Sequence, residues 1–252
     1  MNELYLPNGY EHTNFQNFDL IYEGIKSKGI YLLEYDDTYL KDAFVTQLAE
    51  KFINKGSHVL IVQKEQPSCS MKDIILSRML FRQNPHNFTS IAEIEHEAVE
   101  LLSSSFQSQV DSLIINTEIV FPQSKQPHDC LQLISQSLDQ NPEIKFIIWD
   151  SNTKYFLSSN LIPVLSRITF KYKIPVLITS KISVGKFFNQ DVFLPAYLPF
   201  SLYLHSDHPN LFSRSNLKDV AYEFQLDVRT TSNKKLRSYF TFRPASAYCQ
   251  EG

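Results

Sequence analysis

Short runs of apolar, largely β-branched residues alternate along this chain with longer segments of helical period, and this alternation restricts the fold more than any other feature. Four runs are predicted strands: HVLIV (58–62), SLIIN (112–116), KFIIWD (145–150) and PVLITS (175–180). The segments around them are predicted helices: 39–54, 70–82, 90–108, 128–140 and 159–173. Apolar strands separated by helices form parallel sheets through right-handed βαβ crossovers. The pattern therefore predicts a doubly wound α/β domain, with helices on both faces of a mostly parallel sheet.

The rhythm changes near residue 200. The segments FSLYLHS, VAYEFQLDVRT and LRSYFTFRP each have the composition of a strand, and no helical segment separates them. TTSNKK (230–235) has the composition of a hairpin turn. We therefore expect the sheet to end in antiparallel strands, with a hairpin close to the C-terminus.

Composition and charge limit the kind of protein. A chain of 252 residues that is 43% hydrophobic can bury one large core. Its net charge of −3 gives no general attraction to nucleic acid or to an anionic membrane. Three widely spaced cysteines favour neither a disulfide framework nor a zinc site. No signal-peptide pattern and no run of eighteen apolar residues is found, so we expect a cytoplasmic protein without a membrane partner.

The segment Gly29–Phe52, GIYLLEYDDTYLKDAFVTQLAEKF, has the outline of a phosphate-binding unit. An apolar strand (30–33) leads into a short turn, a lysine, and a helix that carries Phe44, Leu48 and Phe52 at intervals of four. A phosphate loop needs glycines so that its backbone N–H groups can converge on phosphate oxygens. This turn holds three acids and no glycine. The unit is therefore a nucleotide site, a degenerate nucleotide site, or an ordinary strand and helix.

The order of the elements and several local strings resemble the RecA-like ATPase domain of DnaB-type replicative helicases, over about residues 15–248. NFQNFDLIYEGIKSKGIYLLEYDDTYLKDAFVTQLAEKFINKGSHVLIVQKEQPS resembles the opening of that domain. FIIWD resembles its Asp-ended nucleotide strand, FKYKIPVLITSKIS its sensor strand, and YEFQLDVRTTSNKKLRSYFTFRPASAYCQ its closing pair of strands. The resemblance implies a single RecA-like domain over residues 15–252, preceded by an N-terminal extension over residues 1–14.

In this resemblance the segment Tyr35–Asp42 (YDDTYLKD) stands at the phosphate loop, and Lys41 matches its lysine. Tyr35 and Leu40 replace the two glycines, and Asp42 replaces the hydroxyl residue that binds magnesium. Tyr and Leu resist the positive φ angles that glycine allows. At about 4–6 Å and an effective dielectric near 20, an acid in the turn repels a phosphate charge by about 3–4 kcal/mol. We expect no ATP binding of the usual kind, and predict no cofactor.

Four further positions match functional residues of the family. Glu65 stands at the carboxylate that activates the attacking water, and Asp150 at the carboxylate associated with magnesium. Lys181 stands at the sensor position, and Arg229 is the nearest candidate for the finger that reaches a neighbouring subunit's nucleotide. Each also has a purely structural interpretation. Acids at strand ends are common in α/β folds, and Lys41 can begin a helix while extending its ammonium group to water.

Two groups of cations are candidates for contacts with nucleic acid. Lys154 precedes the aromatic Tyr155, and single-stranded bases stack on such rings while cations pair with phosphates. Lys234, Lys235 and Arg237 lie at the predicted C-terminal hairpin, where they could contact phosphates. The structural alternatives are a loop anchored by its aromatic rings and a solvated hairpin tip.

These observations leave three hypotheses. The first is a pseudo-ATPase, a non-hydrolysing binding or scaffold protein in DNA replication, recombination or mobile-element maintenance. Its expected partner is a protein, either itself or a related helicase or ATPase subunit. The second is an unorthodox ATPase in which Lys41, Glu65 and Asp150 act on ATP, with magnesium held by Asp42. The third is an ATP-independent binder of single-stranded nucleic acid.

Overall fold

A computed structural model describes these parts of the chain: residues 10–11, 25–26, 28–63, 70–86, 90, 94, 104–120, 127–151, 161–181, 200–206, 221–230 and 235–251. The strands are β1 (Tyr10–Glu11), β2 (Ile25–Lys26), β3 (Ile30–Tyr35), β4 (His58–Gln63), β5 (Thr117–Val120), β6 (Ile144–Ser151), β7 (Val176–Lys181), β8 (Phe200–Ser206), β9 (Tyr222–Thr230), β10 (Lys235–Arg243) and β11 (Tyr248–Glu251). The helices are α1 (Thr38–Asn54), α2 (Met71–Gln83), α3 (Ser104–Ile115), α4 (Pro127–Gln140) and α5 (Leu161–Tyr172), with a 3₁₀ helix at Pro244–Ser246.

Within the described chain, one large sheet has the strand order β11-β10-β9-β8-β3-β7-β6-β4-β5. Neighbouring strands from β8 to β5 pair in parallel. The pairs β8-β9, β9-β10 and β10-β11 are antiparallel. β1 and β2 form a separate antiparallel pair. The predicted fold class, a mostly parallel α/β sheet that ends in antiparallel strands, is confirmed.

Helices cover both faces of the sheet, as predicted. Successive residues of a strand point to opposite faces, and the buried residues of β3 divide accordingly. Tyr31, Leu33 and Tyr35 join the core beneath α1. Ile30 and Leu32 join the core beneath α4 and α5. The end of β3 is therefore held between two packed layers, which fixes the position of the turn that follows it.

Most predicted elements agree with the observed ones. The bounds of α1, α2, α4, α5, β4, β6 and β7 lie within two residues of the predicted bounds. The predicted turn at 230–235 falls between β9 and β10, which pair with Arg229 opposite Lys235. None of the described helices combines the length and apolarity needed to cross a membrane.

One predicted strand is wrong. Residues 112–116 lie almost entirely in α3, and β5 begins only after them. Val110 and Ile114, four residues apart, face α2 together and pack in the same cluster, so helical spacing outweighs the β-branched composition of this run. The predicted helix 90–108 overlaps α3 only at residues 104–108, and most of the rest lies outside the described residues.

Arg78 of α2 holds the C-terminal segment against α1. Its side chain is fully buried and donates from Nε to Ala247 O at 3.0 Å and from Nη2 to Ala43 O at 2.9 Å. It also forms an ion pair with the buried carboxylate of Glu50, which Arg82 approaches to 3.3 Å. Buried charges persist in folded proteins only when they are paired and hydrogen-bonded. Arg78 meets this condition through three partners, two in α1 and one in the C-terminal segment.

A second set of contacts also holds the C-terminal segment against α1 and α2. Gln47 of α1 donates from Nε2 to Cys249 O at 2.8 Å, and its Oε1 accepts from Cys249 N at 3.1 Å. Ser77 of α2 donates to Ala245 O at 3.1 Å. The 3₁₀ helix and β11 are therefore bound to α1 and α2, and these contacts hold in place the helix that starts at the candidate site.

Candidate functional site

The segment Tyr35–Asp42, predicted at the position of a phosphate loop, is mostly helical, because only two residues separate the end of β3 from the start of α1. Asp36 and Asp37 form the turn. Asp37 has the extended backbone of an N-cap (φ −106°, ψ 123°), and its Oδ1 accepts from Leu40 N at 2.8 Å. Lys41 N donates to Asp37 O at 3.2 Å. A carboxylate of the chain itself therefore lies at the positive end of the helix dipole.

The electrostatic environment of this cap is acidic. Burial raises the pKa of the Asp37 carboxyl above its ordinary value. The hydrogen bond from Leu40 lowers this pKa, the neighbouring Asp36 raises it, and the charge of Lys181 lowers it. The rise prevails, mainly because burial removes water from the charged form of the carboxyl.

Asp37→Ala is expected to lower the free energy of unfolding by about 1 kcal/mol, because the Leu40 amide loses its capping acceptor. Asp37→Asn places an amide oxygen at the same position and is expected to cost no more than about 0.3 kcal/mol. Urea denaturation at neutral pH measures both changes. Equal losses in the two variants would show that Asp37 acts through its charge and not as a cap.

Lys41 lies in the first turn of α1 and is 2% exposed. Its Nζ is 2.5 Å from Asp42 Oδ1 and 2.7 Å from Asp150 Oδ2, and 5.4 Å from the centroid of the Tyr35 ring. Burial alone would lower the pKa of Lys41, but Asp42 and Asp150 more than offset this effect and raise it above its ordinary value. The ammonium group is therefore charged and bound to two acids of the same chain. We call these three residues the ionic cluster.

Asp150, near the end of β6, links the ionic cluster to the neighbouring strand. While its Oδ2 contacts Lys41, its Oδ1 accepts from Thr179 Oγ1 of β7 at 2.5 Å. Lys181, at the exposed end of β7, donates from Nζ to Thr38 Oγ1 at 3.1 Å. The carboxyl ends of β6 and β7 thus meet the start of α1. The structure brings Lys41 and Asp150 into contact and places Lys181 at the rim of the same site.

The other predicted site residues that the structure describes lie on strands away from this cluster. Arg229 and Lys235 are Cα partners across β9 and β10, and Arg237 is exposed on β10. The strands β8, β3 and β7 lie between β9 and β6 in the sheet. Four predicted residues lie outside the described parts of the chain: Glu65, Lys154, Tyr155 and Lys234.

Two contributors to the site, Thr179 and Thr38, and the capping role of Asp37 were missed in the sequence. Asp37 directly precedes a helical segment, and an aspartate at that position is a recognised N-cap signal that could have been used. Thr179 and Thr38 meet partners that are 29 and 143 residues away in the chain, and no local pattern predicts such contacts. Among the residues that the structure describes, no group of three or more His, Cys, Asp or Glu side chains is placed to hold a metal ion.

Neither a protein-family model nor a curated protein matches the chain, whereas many solved structures do. It is similar to a solved ATPase domain, with a TM-score of 0.70 and 12% identity over 96% of this chain and 92% of that one. It is also similar to a DnaB-like replicative helicase, described together with its interactions with primase, with a TM-score of 0.66 and 11% identity. That match covers 97% of this chain and 64% of the helicase. The predicted resemblance is confirmed for the fold: this chain has the RecA-like fold of DnaB-like helicase ATPase domains.

Proposed function

We propose that this chain is a catalytically degenerate RecA-like protein that acts as a binding or scaffold protein and does not hydrolyse ATP. Its single domain is proposed to comprise residues 15–252, after an extension over residues 1–14. The observation that carries the proposal is the ionic cluster. The lysine that would neutralise a phosphate is buried between Asp42 and Asp150.

The charges around the start of α1 oppose a polyphosphate. The turn and the ionic cluster bring four carboxylates close to two ammonium groups: Asp36, Asp37, Asp42 and Asp150, with Lys41 and Lys181. Each acid at about 4–6 Å from a phosphate charge opposes binding by about 3–4 kcal/mol. Lys41 is already neutralised by its neighbours, which leaves Lys181 as one cation against the two acids of the turn.

The backbone also opposes a polyphosphate. A phosphate-binding nest needs several N–H groups that point at the ligand. Here the N–H group of Leu40 donates to the side chain of Asp37, and that of Lys41 donates to the carbonyl of Asp37. Thr38 is already the first residue of the helix. The residues present therefore do not fit ATP and magnesium in the manner of a phosphate loop.

Proteins are the proposed partners. One of the similar structures is a helicase described with its interactions with primase, and we propose a comparable protein-binding role for this chain. Its partner would be a second copy or a related helicase or ATPase subunit, in DNA replication, recombination or mobile-element maintenance in the cytoplasm. Arg237 is exposed on β10, so this strand remains a candidate for contact with nucleic acid.

A phosphate-release assay on the purified chain with ATP and magnesium tests the proposal. We expect a rate equal to that of buffer alone. Asp150→Asn is a matched variant because it leaves the ion pair between Lys41 and Asp42 in place. Release by the natural sequence that is lost in Asp150→Asn would overturn the proposal and favour the unorthodox ATPase.

A further inference from the structure

Helix α5 carries an exposed aromatic residue on the side that faces away from the sheet. Leu165 and Ile168 of this helix are buried in the core beneath it, and Tyr172 packs against the same core. Phe170 is 73% exposed, on a helix face that is normally polar in a surface helix. A single exposed phenylalanine is common on protein surfaces. Its neighbours therefore decide whether it has a function.

Three cations lie around the ring of Phe170. The Nζ atom of Lys28 is 5.1 Å from the ring centroid. Arg167 is exposed one turn earlier on α5, at the spacing that makes side chains neighbours on a helix. Lys173 is exposed directly after the helix ends. Within the described residues none of these cations forms an ion pair, so their charges are available to an external anion. We call Phe170 and these three cations the basic patch.

The basic patch lies at the opposite end of the parallel strands from the ionic cluster. Lys28 precedes β3 and Lys173 precedes β7, and these strands pair side by side, with Val176 N donating to Gly29 O at 3.0 Å. The ionic cluster lies at the carboxyl ends of the strands. Because β3 has six residues, about 20 Å separates its two ends. The patch is therefore distinct from the start of α1.

The two ends of the sheet also differ in charge. The patch is bordered by the last turn of α4, residues 141–145, the last two turns of α5 and residues 173–175. Together with Lys28, these segments hold five cations and two acids: Lys28, Lys145, Arg167, Lys171 and Lys173, with Asp139 and Glu143. Asp139 is 3.8 Å from Lys171. A local excess of positive charge thus exists on a chain whose net charge is −3, and it favours an anionic partner.

Single-stranded nucleic acid has the chemistry that matches this combination. Its bases stack on aromatic side chains while its phosphates pair with lysine and arginine. In a duplex the bases are held inside the stack, so the ring of Phe170 could not reach their faces. An acidic peptide would pair with the cations but would offer no flat ring to Phe170. The exposed ring therefore favours a single strand over these other anions.

We propose that the basic patch binds single-stranded nucleic acid, with one base stacked on Phe170 and the adjoining phosphates paired with Lys28, Arg167 and Lys173. Stacking and charge pairing are open to every base, so binding has little sequence preference. The proposal goes beyond the scaffold role and does not depend on it, because it requires neither a protein partner nor the loss of ATP hydrolysis. It also differs from a contact through Arg237 on β10.

Fluorescence anisotropy with a labelled oligothymidylate of about 15 nucleotides tests the stacking contact. We expect a Kd on the order of 100 μM at about 50 mM salt. Phe170→Ala should weaken binding about tenfold, whereas Phe170→Trp keeps a stacking surface and should retain it. Tyr239→Ala is the matched control, because Tyr239 is also an exposed aromatic, beside Arg237 on β10, and should leave the Kd unchanged. All three side chains are exposed, so the variants should keep the natural Tm.

The phosphate contacts are tested by salt dependence. The double variant Arg167→Gln with Lys173→Gln should reduce the slope of log K against log salt by about 1.4, the change expected for two lost contacts with a single strand. An abasic oligonucleotide of equal length keeps the phosphates and lacks the bases. It should bind more weakly than the oligothymidylate, and Phe170→Ala should not change its Kd.

Three outcomes would overturn the proposal for the basic patch. The first is no binding of the oligothymidylate at low salt. The second is equal binding of the abasic oligonucleotide or of polyglutamate by the natural sequence, which would indicate attraction of any anion. The third is a loss of binding in Tyr239→Ala but not in Phe170→Ala, which would place the contact on β10. None of these readouts involves ATP, so they distinguish failure of this proposal from failure of the scaffold proposal.

Discussion

Lys41→Met is expected to lower the free energy of unfolding by about 3–5 kcal/mol, the loss typical of removing one partner from a buried ion pair. Methionine keeps most of the side-chain volume but leaves Asp42 and Asp150 without their cation. Asp150 is 11% exposed at its side chain and keeps the hydrogen bond from Thr179, which favours the lower end of that range. Urea denaturation without nucleotide measures the change.

The double variant Lys41→Met with Asp42→Asn is the control for this prediction. It removes one of the two uncompensated charges, so it should recover a large part of the lost stability, and the coupling between the two sites should be clear in a double-mutant cycle. If Lys41 served only to bind phosphate, its replacement would change the stability of the ligand-free protein very little. A loss below about 1 kcal/mol in the single variant, the range of exposed ion pairs, would contradict the structural role of Lys41.

Arg78→Met is expected to have an effect of similar size, about 3–5 kcal/mol, because it leaves the buried carboxylate of Glu50 without its main partner. The variant also removes the donors to Ala247 O and Ala43 O. In a domain of this size the loss corresponds to a fall in Tm of roughly 10 °C. Thermal denaturation followed by circular dichroism measures it.

Arg82→Met is the matched control for Arg78, since it lies one turn further along α2 and contacts the same carboxylate of Glu50. The side chain of Arg82 is 42% exposed, so solvent screens its charge and we expect a loss of about 0–1 kcal/mol. Similar losses in Arg78→Met and Arg82→Met would show that the burial of Arg78 adds nothing to the free energy of unfolding. A much larger loss for Arg78 would confirm that it secures the C-terminal segment.

The architecture could be predicted from the sequence because its signals are repetitive. Strands such as HVLIV at 58–62 and KFIIWD at 145–150 are buried on both faces, and that burial requires both apolar composition and flanking helices. The prediction is wrong where α3 passes into β5. There SLIIN is followed at once by TEIV, and a continuous apolar run does not by itself distinguish a helix from a strand. The contacts of Val110 and Ile114 with α2 decide in favour of the helix.

The candidate site was predicted only in part. The family pattern places Lys41 and Asp150 at functional positions, and the structure brings them to 2.7 Å. The family pattern gives no account of Asp37, whose carboxylate caps the helix. Contacts such as that of Arg78 with Ala247, 169 residues apart, exist only after folding.

Titration calorimetry of the intact chain with ATP and magnesium tests most directly whether Lys41 serves the fold instead of a phosphate. We expect no saturable heat at ATP concentrations up to about 1 mM, because the ammonium group is held by Asp42 and Asp150 and the first amides of α1 are bound to Asp37. A Kd on the order of 1 μM would contradict this account, and the start of α1 would then be a working nucleotide site.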